Sequence, residues 1–184
     1  MSNLRTKKTD NSFLWEKIDL RLETVNQIEK KTINILEAFS GDGLIWDEVK
    51  KQTDKKINIL RIDIKNKKGS YLKGDNVKFL PSLDLSKFDI IDLDSYGVPY
   101  PQLKILFDMK YKGIIHVTFI QSMFGSLPKR FLYELGFTKE MIDKIPSLFN
   151  QNGMGKMKDY LSGKGVRKIK GYFIDRKNYF YFEI

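Results

Sequence analysis

Apolar residues recur along this chain with two periods, and the alternation between the two predicts its architecture. Phe13, Leu14, Ile18, Leu22, Val25 and Ile28 stand at helical spacing, which predicts a helix from about Ser12 to Lys30 with Ser12 or Asn11 as its N-cap. Trp15, at its start, is expected to pack rather than to form a ligand platform. A short apolar strand follows, Ile33 to Ala38. Beyond Ser40-Gly41-Asp42-Gly43 come Leu44, Ile45, Trp46 and Val49, spaced for the buried face of a second helix that ends near Gln52. The next strand, Ile57 to Ile64, carries an acid, Asp63, at its end. The connection from Asn66 to Lys73 is polar and too short for a full crossover helix, and Val77 to Leu80 reads as a short third strand or a turn. Phe88 to Asp94 is the clearest strand, and Ser95 to Pro101 cannot continue a central strand or a helix. Gln102 to about Tyr111 fits a helix with Leu103, Leu106 and Phe107 inward, and Ile114 to Ile120 a buried central strand.

Strands alternating with helices imply a Rossmann-like, doubly wound α/β fold with a mostly parallel sheet. The rhythm breaks between residues 126 and 163, a helical insert with helices around Phe131 to Leu135, from Thr138 (as cap) to Ile145, and from Lys156 to Leu161. Two strands then follow, Val166 to Ile174 and Asn178 to Glu183. The link Asp175-Arg176-Lys177 is so short that they must form an antiparallel hairpin. Residues 1–31 read as a tail and a helix, with the first dozen frayed, and the 184 residues as one domain.

Composition narrows the chemistry. Cysteine is absent, which excludes disulfides, thiolate metal sites and a Cys nucleophile. A single histidine, His116, leaves no His-based metal site and no Ser-His-Asp triad; on a buried strand it is expected to be a core residue. No metal is expected. No apolar run reaches the length that spans a membrane, and the N-terminus lacks an apolar signal core, so a cytoplasmic protein is expected. The surplus of 33 Lys+Arg over 23 Asp+Glu, a formal +10, favours an anionic partner, most simply nucleic acid. Basic residues from Lys129 to Lys177, interleaved with Phe, Tyr and Met, form either a phosphate-binding face or a solvated lysine surface.

The Glu37-x-Phe39-x-Gly41-x-Gly43 turn joins a strand to a helix N-terminus, the arrangement that binds nucleotide-like ligands in open α/β sheets. A dinucleotide fingerprint would need a third glycine where Trp46 stands, no Gly-Lys-Ser/Thr follows, and Asp42 disfavours a pyrophosphate. A cationic ligand with an adenosine part suits the turn better. Asp63 lies twenty residues beyond Gly43, the offset at which an acid receives a ribose hydroxyl pair.

With these residues the chain resembles the class I S-adenosylmethionine (SAM)-dependent methyltransferases from about Ile33 to Ile184. Glu37-Ala38-Phe39-Ser40-Gly41-Asp42-Gly43 is similar to their first motif, which lies against the methionine part of SAM. The resemblance implies that Asp63 and Ile64 meet the ribose, that Asp75 and Asn76 meet the adenine, and that the final hairpin supplies the family's reversed last strand. Asp92-Leu93-Asp94-Ser95-Tyr96-Gly97-Val98-Pro99 resembles the fourth-strand loop of amino-group methyltransferases. It is nearest to that of the tRNA guanine N2-dimethyltransferase group, with Ser95 in place of a proline and Val98 in place of a serine. These tRNA enzymes also carry a large extra domain that has no counterpart here. The resemblance implies Asp92 on the cofactor side, Asp94 and Tyr96 as catalytic residues, and Ser95, Tyr96, Gly97 and Pro99 against the substrate. An exocyclic amine is a weak nucleophile because its lone pair is delocalised. A carboxylate accepting its N–H bonds localises that pair, and an aromatic ring can stack on an extruded base. The expected activity is methyl transfer from SAM to an exocyclic amine of a nucleic acid base, RNA before DNA. The alternatives are a non-catalytic nucleic-acid-binding module on this scaffold and a small-molecule or protein methyltransferase.

Overall fold

The computed structural model describes residues 13–64, 71–121 and 127–184. β1 (Thr32–Glu37), β2 (Lys56–Asp63), β3 (Tyr71–Lys73), β4 (Ile90–Leu93), β5 (Ile114–Ile120), β6 (Lys170–Ile174) and β7 (Lys177–Glu183) form one sheet in the order β3-β2-β1-β4-β5-β7-β6. The first five are parallel, and β7 runs antiparallel to both β5 and β6. The helices are α1 (Leu14–Gln27), α2 (Leu44–Lys51), α3 (Asn76–Phe79), α4 (Tyr100–Asp108), α5 (Lys129–Glu134), α6 (Lys139–Lys144), α7 (Pro146–Asn150) and α8 (Gly153–Gly163).

Alternation along each strand sends two cores to opposite faces of the sheet. Ile33 and Ile35 of β1, Ile90 of β4, Ile114 of β5 and Tyr179 and Tyr181 of β7 meet α1 and α2 through Ile18, Leu20, Val25, Trp46 and Val49. Leu36, Ile91, Leu93, Ile115, Val117, Phe119, Phe180 and Phe182 meet α4 and the helical insert on the other face, around Leu103, Phe131, Met157 and Tyr160. Both faces are covered, as a parallel sheet requires.

Several expectations need correction. The third strand is Tyr71–Lys73, and Val77 lies in a short helix capped by the Asp75 side chain, which accepts from the Val77 amide at 3.0 Å. β3 pairs only with Arg61, Ile62 and Asp63, so the chain has to return by only about 10 Å, and no crossover helix is required. α4 starts at Tyr100, two residues early, because Pro101 is tolerated in a first turn whose amides have no helical partner. The insert holds one helix more than expected, because Pro146 restarts the chain as α7 directly after α6. Trp15 does not pack; it is 64% exposed. The expected caps Asn11 and Ser12, the frayed tail and the start of the insert at 126 lie outside the described residues. At the α1 N-terminus Phe13 stands at φ 61° with no side-chain cap.

Candidate active site

The order of strands reverses between β1 and β4, and ligands of open α/β sheets bind at the carboxyl ends beside such a reversal. Four of the strand ends there, those of β1, β2, β3 and β4, carry the residues singled out by the sequence.

On the β1–β2–β3 side, the turn after β1 places Gly41 at φ 53° and Gly43 at φ 72°. Left-handed backbone suits glycine, and at Gly43 a Cβ would come 2.8 Å from the Arg61 guanidinium carbon, so a side chain there is strained by the backbone and must also displace that guanidinium. The Asp63 carboxylate accepts from the Gly41 amide at 2.7 Å, which joins the turn to the end of β2. The Asn76 side chain donates to the Ala38 carbonyl at 2.7 Å and accepts from Gln102 at 2.7 Å. Its side chain therefore ties the turn after β1 to α4. Ile64 is exposed, and Phe39 packs partly against the core below. The Ser40 hydroxyl is buried and has no hydrogen-bond partner among the described residues. A turn with an unpaired hydroxyl, open space at Gly41 and acids at the next two strand ends fits the polar periphery of a SAM molecule.

On the β4–β5 side, Asp94 follows β4 and stands across from Thr118. The Thr118 hydroxyl donates to Asp94 Oδ1, and Lys17 Nζ donates to both carboxylate oxygens at 2.8 and 3.1 Å. Burial alone would push the Asp94 carboxyl up, but Lys17, Arg21 and these hydrogen bonds hold it below the ordinary carboxylate range. Ser95 donates to the carbonyls of Thr118 at 3.0 Å and Gly97 at 3.3 Å, and its amide donates to Leu93 at 2.8 Å. A proline at this position would lose all three, so Ser95 is a fitted part of this loop. Gly97 sits at φ 145° while its carbonyl accepts from Ile120 at 2.8 Å, and Pro99 leads into α4. Tyr96 is 67% exposed at the rim.

Beneath the mouth lies a polar row that crosses the sheet in register, Arg61–Glu37–Asp92–His116–Tyr181. Asp92, expected on the cofactor side, is buried within it. Its Oδ1 accepts from Arg21 at 2.8 Å, and its Oδ2 accepts from Arg21 at 2.7 Å and from the Trp46 indole at 2.6 Å. Its place is under the site, not in it. Glu37, likewise buried, accepts from Arg61 at 2.8 Å, while burial first and the nearby Asp92 second push its carboxyl up to about 8. His116 shares a 2.8 Å hydrogen bond with Thr24, and burial first and Arg21 second hold it well below 6.5, so it is neutral core as expected.

Lys17 and Arg21 are the residues that sequence reasoning missed. They lie on α1 with Thr24 at i, i+4 and i+7, a polar stripe beside the apolar one. The available signal was Asp92 in the otherwise apolar β4 and Asp94 directly after it, since buried carboxylates need cations.

Among the described residues no group of three or more metal-ligating side chains occurs, and no helix is long and apolar enough to cross a membrane. A groove of about 680 Å³ lined by Lys30, Asn34, Asn58 and Asp89 lies at the opposite, amino-terminal edge of the strands and holds none of the site residues.

No protein-family model matches the chain, and no curated protein matches its sequence. Solved structures do. A proposed S-adenosyl-L-methionine-dependent methyltransferase of Methanococcus maripaludis is similar over 94% of this chain and 88% of its own, with TM-score 0.51 and 15% identity. The MNMC2 protein of Aquifex aeolicus gives TM-score 0.55 at 17% identity over 93% of this chain. A proposed class I S-adenosylmethionine-dependent methyltransferase of Listeria monocytogenes gives 0.53 at 15% over 100%. The chain spans 60% and 62% of the latter two proteins. Strand order, the reversed β7 and these neighbours together make this the class I SAM-dependent methyltransferase fold.

Proposed function

We propose that this chain is a SAM-dependent N-methyltransferase whose acceptor is an exocyclic amine of a nucleic acid base, RNA before DNA. The observation that carries the reading is Asp94, held ionised at the carboxyl end of β4 across the strand reversal from the Gly41–Asp63 contact. The turn from Ala38 to Gly43, which rises from the buried Glu37, would hold SAM together with Asp63 and Asp75 after the following strands; SAM supplies a methyl group on a sulfonium. Asp94 would accept an N–H of the acceptor and orient its lone pair, and Tyr96 would stack on the base. The formal +10 and the basic residues of the insert and hairpin support a polyanionic substrate. The resemblance of the loop to that of the tRNA guanine N2-dimethyltransferase group, carried by Asp92, Asp94, Tyr96, Gly97 and Pro99, favours a nucleobase amine as acceptor.

Calorimetry with SAM, and incubation of labelled SAM with bulk tRNA, rRNA, DNA and protein, test the reading. The expected result is SAM binding weakened at least tenfold by Asp63→Ala, and label in RNA that Asp94→Asn abolishes. No heat with SAM would refute it. The Lys17–Asp94 ion pair favours a second reading, a nucleic-acid-binding module without catalysis, because Lys17 occupies the amine-accepting carboxylate. SAM-dependent label that disappears in Asp94→Asn would eliminate that module.

A further inference from the structure

We infer that Lys17 is a specificity-determining residue that restricts the acceptor to a neutral amine and rejects ammonium groups. The inference rests on the methyltransferase reading and concerns the charge of its acceptor end. Lys17 reaches that end from α1 and is more deeply buried than the acid it meets, with side chains 9% and 17% exposed respectively. The Tyr179 ring lies 5.0 Å below its ammonium, and Phe13 packs on that ring at 5.9 Å. Four residues further along α1, Arg21 closes on Asp92. Two acids thus meet two cations, and the acceptor end carries no net charge.

A carboxylate offers about four acceptor positions. Lys17 takes one on each oxygen of Asp94 and Thr118 takes one on Oδ1, which leaves one on Oδ2 among the described residues. A neutral nucleobase amine needs one acceptor to be oriented. An ammonium of a lysine side chain or a polyamine brings a second positive charge next to Lys17 and finds no excess negative charge to bind. An isolated aspartate would favour the ammonium. In the transfer itself the amine nitrogen forms the new N–C bond, the S–C bond breaks, and the amine proton leaves to solvent; Lys17 takes no part in these steps.

The test compares the 184-residue chain with its Lys17→Met and Lys17→Arg variants, using labelled SAM and two acceptor sets. One set is RNA and DNA oligonucleotides, with neutral amines; the other is a lysine peptide and spermidine. The expected result is a preference for oligonucleotides that falls at least tenfold in Lys17→Met and survives in Lys17→Arg. The acid limb of kcat/KM should move to higher pH in Lys17→Met alone, because Asp94 loses the cation that keeps it ionised. The titratable or charged groups on the elements around Asp94 are Lys17 and Arg21 (α1), Glu37 (β1), Asp92 (β4), His116 (β5) and Tyr179 (β7); of these only Lys17 changes. If Lys17→Met does not fold, Lys17→Gln, which donates without charge, takes its place. SAM-dependent labelling with an unmoved preference and acid limb would overturn this inference alone, as would a wild-type preference for the peptide or spermidine. No SAM heat and no label in any variant would overturn the methyltransferase reading and this inference with it.

Discussion

The buried pair of Arg21 and Asp92 gives the sharpest stability prediction. Arg21 makes three hydrogen bonds, to Asp92 Oδ2 at 2.7 Å, to Asp92 Oδ1 at 2.8 Å and to the Lys17 carbonyl at 2.9 Å, and both side chains are almost entirely out of water. Arg21→Met keeps most of the packed stem and removes the charge. Asp92 is then left with the Trp46 bond and with Asp94 as a like-charged neighbour. Leaving one member of a buried pair uncompensated costs about 3–5 kcal/mol. For a chain of 184 residues this corresponds to a Tm lower by roughly 6–20 °C. Urea unfolding at pH 7 should show a midpoint about 1–3 M lower with an unchanged slope. Asp92→Asn in the same background should recover part of the loss, with a coupling above ~1 kcal/mol in the double-mutant cycle. The loss must also shrink as pH falls. Burial already holds the Asp92 carboxyl above its ordinary value beside Arg21, and without Arg21 it rises further above the unfolded value near 3.9, so the added loss grows as pH rises through that window and fades below it. A loss under ~1 kcal/mol at pH 7, or one independent of pH, would refute the electrostatic account of this core.

Glu37 and His116 should tilt the pH–stability curve in opposite directions. Between 4.5 and about 8 folded Glu37 holds a proton that the unfolded chain has released, so stability falls as pH rises across that window, and Glu37→Gln should flatten the slope of the urea midpoint there. Folded His116 stays neutral where the unfolded chain protonates, so stability is lost as pH falls below about 6.5, and His116→Asn should remove that limb. Gly43→Ala should cost on the order of 1–3 kcal/mol, read by thermal melting, because alanine must hold φ 72° and push the Arg61 guanidinium aside.

What was legible in the sequence had either a long period or a tight covalent constraint. The reversed β7 follows from the link Asp175-Arg176-Lys177, which is too short to carry a parallel return. The Gly41 turn and Asp63 were readable as a pair, and the 2.7 Å hydrogen bond between them is the physical form of that spacing. β3 escaped because three residues cannot display an alternation, and its neighbour Val77-Lys78-Phe79 has strand-like composition but follows a capping Asp75. The placement of Asp92 escaped for another reason. Motif spacing puts Asp92 and Asp94 on the same face of one strand, and only the covering helix shows that the lower acid is closed off and the upper one reaches the mouth.

The geometry of α1 explains why two such costly buried pairs can coexist. Four residues of helix rise about 6 Å, and two residues of strand about 6.6 Å, so a helix packed antiparallel to β4 meets i and i+4 with alternate strand positions. Lys17 and Arg21 match Asp94 and Asp92 in that way, and Thr24, one turn further, reaches His116 on the adjacent strand. Sliding α1 by one turn toward the mouth would bring Arg21 to Asp94 and leave Asp92 without a cation and Lys17 without an acid, a penalty that the apolar stripe of Ile18 and Val25 would not impose by itself. A purely apolar contact would tolerate such a slip far better. The polar stripe therefore fixes the register of α1 on the sheet, and the same register sets the charge that an acceptor amine meets at Asp94.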